Sequence, residues 1–596
     1  MQCRHGQSPR KTDIQDELAD KGFGKFGRMS FQPPPLFEEK EGEQQRANKA
    51  LEDLGRAMIS DQPEKNKNIP AGYTYLGQFI DHDITFDAST IGTTTVDPSS
   101  LQNFRTPRFD LDSLYGGGPK VQPYLYERVL SGREISDEGK FQLGKVAIRT
   151  QFPKILNLEK CIQLDKTLSP PDQKIKDKLN EQQKAKIEEV NNLLLHDLPR
   201  CPLGTALIAD PRNDDNLIVA QLHLAFLKFH NKVHDEVARG AREVFRQQIS
   251  EGDTSSDKIF EVARKTVIWH YQWIILYDFL PKVTTFCKED IEQKVEKFVS
   301  KLDSRRSWHK FSDRAFIPVE FSAAAFRFGH SMLRGIYSIN DVALSTLQDI
   351  RQFTGLSKNS RLREQKIFGD WVVDWRKLFP LHSPDTNKDS ADEEQDAEEP
   401  LFPLFSHLIN SKMLNPLKGE DKDPLSTMNL KRGRMLGLPS GQDLALAFGL
   451  QPLNSQEILE SATTENQVVE STEILSERDI LTKYGFHKKT PLWYYILKES
   501  EIKESGQRLG ELGSCIVFDV FFRLLSGDKS SFLVEDPTWQ PFLADRKQGE
   551  FTIADLISYV DEIDKYSTLQ EMNNSAELDE LVKQYQEKII KRGIEF

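Results

Sequence analysis

The sequence predicts an all-α protein, mainly helical with few short strands. Two long segments carry helix signals at both ends, patterns that alternate every second residue are scarce, and there is no internal repeat. The first segment runs from Asn216 to Arg239. Asp214, Asp215 and Asn216 offer N-cap side chains, and Gly240 offers a C-terminal stop. Between them Leu217, Ile218, Val219, Leu222, Leu224, Phe226 and Leu227 are apolar nearly all round, which predicts a buried helix. Lys228, Asn231, Lys232, Asp235 and Glu236 bring its far end toward solvent. The second segment is aromatic and runs from about Ser256 to Leu280, where Pro281 is expected to stop it. With 36 Phe against 14 Tyr and 7 Trp, an aromatic-rich core is expected.

The 596 residues admit one large domain or several ordinary ones. No run of eighteen apolar residues occurs, so no transmembrane helix is expected. The first residues lack the apolar stretch of a secretory signal, which suggests a cytoplasmic or non-classically secreted protein. A net charge of −13 argues against a nucleic-acid partner, which would favour a basic face. Five widely spread cysteines, with no CxxC pair, do not suggest a disulfide framework. Residues 163–195, 384–399 and 453–478 are polar and charged and read as surface insertions. The first of these should form an exposed helix after Pro170-Pro171, and 384–399 should be disordered.

Five constellations carry chemistry. In Gln78-Phe79-Ile80-Asp81-His82-Asp83, Gln78 and His82 are four apart and share a helix face, where an imidazole beside an amide can handle a proton. Thr106-Pro107-Arg108-Phe109-Asp110-Leu111-Asp112 sets oxygen ligands at alternate positions, which suits a hard cation or an ordinary Asp-rich turn. Asp210-Pro211-Arg212-Asn213-Asp214-Asp215-Asn216 precedes the buried helix; it supplies caps, and Arg212 there needs an anionic or electron-rich partner. Arg327-Phe328-Gly329-His330 places a His after a Gly that permits close approach. The fifth is Asn429-Leu430-Lys431-Arg432-Gly433-Arg434-Met435-Leu436-Gly437-Leu438-Pro439.

All five, in this order and with comparable spacing, resemble the animal-type haem peroxidases of the peroxidase–cyclooxygenase superfamily, such as myeloperoxidase and lactoperoxidase. The likeness is greatest to the short bacterial members, the peroxicins. It extends to the stretches 206–231, 263–281 and 536–543, and covers about residues 70 to 560. It implies a catalytic domain over 70–565, preceded by an N-terminal extension (1–69) and followed by a helical tail (566–596).

The resemblance implies haem b and Ca²⁺ as cofactors, and hydrogen peroxide with small donors (halide, thiocyanate or phenol) as partners. His82 matches the distal acid–base residue, Arg212 the distal Arg that stabilises developing charge, and Gln78 the distal Gln that orients peroxide. His330 matches the proximal iron ligand and Asn429 the amide that accepts its ring N–H. Arg327, with Arg432 or Arg434, matches cations that pair with the haem propionates. Asp83, Thr106, Arg108 (by its carbonyl), Asp110 and Asp112 match the Ca²⁺ ligands. Asp81 matches an ester-forming Asp. Asp215 stands where a Glu is usual, one methylene short, and Asn216 where a sulfonium-forming Met occurs, so fewer haem links and oxidation of iodide, bromide or thiocyanate rather than chloride are implied.

Two other functions fit parts of the pattern. A fatty-acid dioxygenase of the same superfamily needs a Tyr three residues before the proximal His, where this chain has Arg327. A non-enzymatic peroxidase-like binding domain would be expected to lose one of His82, Arg212, His330 and Asn429, and all four are present. His223, His230 and His234 share one helix, the last two at metal spacing, but structural histidines are the better expectation there; His270 is expected to be a satisfied core residue.

Overall fold

The computed structural model describes residues 26–29, 33–37, 43–87, 97–131, 134–147, 152–168, 181–249, 255–302, 316–352, 369–381, 403–417, 423–465, 467–469, 472–543, 549–560, 562 and 564–590. The acidic stretch 384–399 lies outside them. The described chain is helical throughout, with strands only in two-stranded pairs. The helices that build the site are α1 (Glu43–Ala57), α2 (Gly72–Ile84), α3 (Leu217–Ala238), α4 (Ser256–Ile274), α5 (Leu425–Met435) and α6 (Leu492–Glu504). No helix among the described residues is long and apolar enough to cross a membrane.

Helix α3 begins where the sequence places its cap: the Asn216 side chain accepts from the Val219 amide at 2.9 Å. It is buried along most of its length, as its all-round apolar character requires. Helix α4 departs from expectation. Pro281 does not end it; a π turn over Ile275–Phe279 follows α4, and a last helical turn, Leu280–Val283, closes at Thr284. The change of register puts Pro281 in the first turn of a new segment, where its missing N–H leaves no gap in the ladder.

The aromatic excess goes into the core between these helices. Phe79 of α2 stacks on Phe226 of α3 with centroids 4.7 Å apart, and Tyr271 of α4 meets both edge-on. Tyr73 of α2 donates to Asp278 in the π turn at 2.6 Å. The strands Lys65–Pro70 and Phe405–His407 pair antiparallel beside the start of α2.

Helix α1 lies against α5, which carries Asn429. At Gly55 the helices touch backbone to backbone: a Cβ there would stand 2.7 Å from Thr427 Cα and 2.8 Å from its N, while Ser426 Oγ donates to the Gly55 carbonyl at 2.6 Å. Gly55→Ala therefore forces α1 off α5. It should lower the unfolding free energy by about 1–3 kcal/mol, and an unchanged denaturant midpoint would contradict this packing.

The first expected insertion holds the helix expected after Pro170-Pro171, though not a wholly exposed one, and the third is better ordered than its composition suggests. Residues 181–193 form a helix that buries Ile187 and Val190. The 453–478 stretch is not a solvated loop: a capped helix Ser455–Ser461 precedes a hairpin, Gln467–Val469 with Thr472–Ile474. Leu453 and Ile458 enter the core, and fully buried Glu477 pairs with Lys498, 3.3 Å away, and accepts from Tyr494. A few apolar and paired charged contacts thus offset a polar average.

Candidate active site

A cavity of about 410 Å³ opens between α2, a 3₁₀ run Ala325–Met332, and α5. Apolar side chains form much of its wall, among them Phe279, Phe326, Phe328, Met332 and Leu436. His82 and His330 both line it, from α2 and from the 3₁₀ run respectively.

On the α2 side, His82 Nδ1 meets Asn213 Oδ1 at 2.8 Å. A carbonyl oxygen only accepts, so Nδ1 carries the proton and Nε2 is left as the basic nitrogen. Burial, then the nearby Arg212, pushes the imidazole down to about 3, so the ring is neutral. Gln78, one turn earlier, accepts at Oε1 from the Asn216 side-chain NH₂ at 3.0 Å, which leaves its own NH₂ as the working end. Asn216 thus caps α3 with one end of its amide and holds Gln78 with the other.

Arg212 sits differently from its sequence-based role. It does have the expected anionic and electron-rich partners: Asp210, which it holds through Nε and one terminal nitrogen (2.7 Å), and the face of Phe86, 4.4 Å from centroid to guanidinium. It also donates to the His82 carbonyl at 2.8 Å. The buried Asp210 carboxylate thus holds the guanidinium beside His82, Asp81 and Asp215, on all of which its charge acts. Asp210 is shared with Arg105, and the two cations hold it well below the usual carboxylate range.

Asp81 lines the cavity, and Thr85 Oγ1 donates to it at 2.9 Å. Asp215 lines it as well. Burial raises both carboxyls above their ordinary value, with arginines opposing: Arg212 for Asp81, Arg351 and then Arg212 for Asp215. Arg351, Asn213 and Asp87 are site residues that sequence reasoning missed. Asn213 had a signal, an amide directly after Arg212 ahead of a buried helix; Arg351 and Asp87 had none.

At the 3₁₀ run, Asn429 reaches His330 Nδ1 at 2.8 Å, but with its amide nitrogen. The expected direction is reversed because Arg327 donates to Asn429 Oδ1 at 2.8 Å, and a guanidinium can only donate. Arg327 also donates to Ser322 O at 3.0 Å, so it is tied to its own segment as well as lining the cavity. Burial, then Arg327, lowers His330 to about 3. Of the two candidate arginines on α5, Arg432 lines the cavity and pairs with Asp87; Arg434 lines a small hollow behind it. Gly329 does not meet a protein group: a Cβ there would find nothing within 4 Å, and the residue faces the cavity.

These features fit haem. An apolar slot with an imidazole on two of its walls, a glycine open to the space between, and the cations Arg327, Arg351 and Arg432 matches an iron macrocycle that carries carboxylates. The Ca²⁺ fit is partial. Asp83 is fully buried and accepts from Leu111 N (3.2 Å), Ser113 N (3.3 Å) and Ser113 Oγ (3.2 Å). Burial, then Asp110 and Asp112, drives its carboxyl well above the usual range. Yet Thr106 donates to Asp110 at 3.0 Å, Arg105 reaches Asp112 at 3.4 Å, and the Arg108 side chain turns toward Asp528. No group of three or more His, Cys, Asp or Glu is arranged for a metal ion among the described residues.

Two further histidines of α3 and α4 are bonded within the core. His230 bonds Tyr115 OH at 3.0 Å and Gly139 O at 2.9 Å, and His270 bonds Thr266 O at 2.7 Å.

Comparison with known proteins adds a family. The animal haem peroxidase profile matches residues 197–558, which include Arg212, His330 and Asn429, while His82 precedes the match. A dual oxidase of Drosophila melanogaster is 24% identical over 328 residues, 55% of this chain and 18% of that protein. Human dual oxidase 1 is 25% identical over 347 residues, 56% of this chain and 19% of that protein. The chain thus spans less than a fifth of the length of either relative. Among solved structures, peroxidase A from Dictyostelium discoideum shares the fold, with a TM-score of 0.52, 14% identity, and coverage of 91% of this chain and 94% of that one.

Proposed function

The chain belongs to the animal haem peroxidase family, and from that membership we propose that it is a haem-dependent peroxidase, reducing hydrogen peroxide to water and oxidising a small donor. The observation that carries this reading is that His82 and His330 line one apolar cavity, each with its Nδ1 engaged by an asparagine. That leaves a lone pair on Nε2 of His82; on His330, whose Nδ1 accepts from Asn429, Nε2 carries the hydrogen and becomes free to bind iron when the Asn429 amide turns its oxygen to Nδ1. Bound haem b would supply the iron and macrocycle that take up the oxidising equivalents of peroxide.

The chain's own residues do the rest. His330 would hold the iron through Nε2 in its Nδ1–H form, with Asn429, tied to Arg327, as the partner of its ring. His82 Nε2 accepts a proton from one peroxide oxygen and returns it to the other as water leaves. The free NH₂ of Gln78 orients peroxide beside it. Arg212 acts on His82 through its field and its bond to the His82 carbonyl. Arg432 and Arg351, which line the cavity, would meet haem carboxylates, and Asp81 would form the ester link; Asp215, one methylene shorter than the usual Glu, is not assigned one. Iodide, bromide, thiocyanate or phenols are the proposed donors. Arg327 occupies the position at which a dioxygenase would need a radical-forming Tyr.

The test is the absorption spectrum of haem-loaded protein mixed rapidly with a slight excess of hydrogen peroxide. The Soret band should fall and shift within milliseconds to seconds. Haem that binds and stays unchanged would refute the reading.

Ca²⁺ belongs to the same proposal, held by Asp83, Asp110 and Asp112 with Thr106 and the Arg108 carbonyl. Three neighbouring carboxylates, one of them fully buried, leave negative charge that a cation would neutralise. Adding Ca²⁺ to chelator-treated protein at 100 times its dissociation constant should stabilise it by about 2.7 kcal/mol. A melting curve indifferent to both chelator and Ca²⁺ would remove the ion from the account.

A further inference from the structure

We propose that Asn213 is the positioning residue that sets the tautomer of His82, with His223 behind it fixing which end of the amide His82 meets. The inference rests on the peroxidase reading for its consequence, but not for its geometry. Asn213 is fully buried in the 3₁₀ turn Pro211–Asp214 between α2 and α3, and its backbone N–H is held by the Asp210 carbonyl at 3.0 Å. Its Oδ1 stands 2.8 Å from His82 Nδ1 and its Nδ2 stands 2.9 Å from His223 Nδ1. His223 is fully buried on α3, edge-on to Phe79.

An amide has two unlike ends. Its oxygen accepts only, so the facing nitrogen of His82 must carry hydrogen; its nitrogen donates only, so the facing nitrogen of His223 must be bare. One side chain therefore imposes opposite tautomers on two neutral rings. The result for His82 is a lone pair on Nε2, directed to the cavity it lines. Turning the amide over would exchange both tautomers and put the hydrogen on His82 Nε2, and the ring could no longer take a proton there. Each bond is buried, so breaking either leaves a polar atom without water. His82 alone, on α2, has no such constraint from its own helix; the setting comes from α3 and the turn ahead of it.

The experiment has two arms on the full chain. In the first, ¹⁵N-histidine spectra of the protein without added haem read the ring tautomers. His82 should be the Nδ1–H form and His223 the Nε2–H form. In Asn213→Asp, whose carboxylate accepts from both rings, His82 should keep its form while His223 switches to Nδ1–H. In the second arm, haem-loaded Asn213→Leu, of nearly the same shape, should react with peroxide about 10–100-fold more slowly at equal haem content, and Asn213→Asp should recover most of that loss. A His82 that is Nε2–H in the unaltered protein overturns the proposal, as does an Asn213→Leu variant with the parent rate. If the unaltered haem-loaded protein ignores peroxide, the peroxidase reading fails, and the tautomer spectra alone decide the role of Asn213.

Discussion

His330→Ala should abolish peroxide-driven oxidation and strip most of the haem on gel filtration. Its imidazole is the proposed single protein bond to iron, and it projects from a 3₁₀ run whose geometry is fixed at several points. Trp493 of α6 donates to the Arg327 carbonyl at 3.2 Å, Arg327 grips Ser322 and Asn429, and Asn429 reaches the ring. Removing the ring leaves that frame intact and empties only the ligand position, so added imidazole should restore part of the haem binding. The two neighbours predict a graded series. Asn429→Ala removes an orienting partner and should cost about 10–100-fold in activity or haem affinity, whereas His330→Ala should leave no measurable rate. Full haem retention with the parent activity in His330→Ala would move the iron to another residue.

The reversed Asn429 amide marks where the sequence stops being informative. A motif identifies which residues gather, and α5 and the 3₁₀ run do bring Asn429 to His330. Which end of an amide faces the ring depends on a third residue, here Arg327, whose direction no spacing encodes. Arg212 shows the same limit. The residue pattern required a partner for a buried cation, and Asp210 is two residues away, but only the folded turn shows that the paired guanidinium also bonds the His82 carbonyl. Helix α3 was legible at both ends because Asn216 and Gly240 act locally. The π turn after α4 was not, since it depends on Asp278 receiving the Tyr73 hydroxyl from another helix and bonding the Ile553 amide at 3.0 Å. Long-range contacts also decide the order of 453–478, whose polar composition says little about the burial of Glu477.

His82→Ala should retain haem and react with hydrogen peroxide about 10²–10⁴-fold more slowly, the range expected for losing a general acid–base group. The separation from His330→Ala is the informative part: one histidine should govern the rate, the other the cofactor. The packing of α2 runs through Phe79 on Phe226 and Tyr73 on Asp278, so the variant should stay folded, at a cost of about 1–3 kcal/mol for the buried Asn213 oxygen left without its partner. His82→Gln fills the space without supplying a base and should be nearly as slow, which separates proton transfer from simple occupancy of the distal wall. The pH profile follows from the sign of the shift. Burial and Arg212 disfavour the charged ring and push it down to about 3, so the neutral base persists on acidification far below the ordinary histidine range. The peroxide step should therefore hold its rate from pH 8 to roughly pH 4, and any loss there common to the parent and His82→Gln would come from other groups. A parent rate that instead falls tenfold between pH 7 and pH 6, with the fall absent in His82→Gln, would mean that His82 titrates as an exposed imidazole and that the enclosed neutral base derived from Asn213 and Arg212 is wrong.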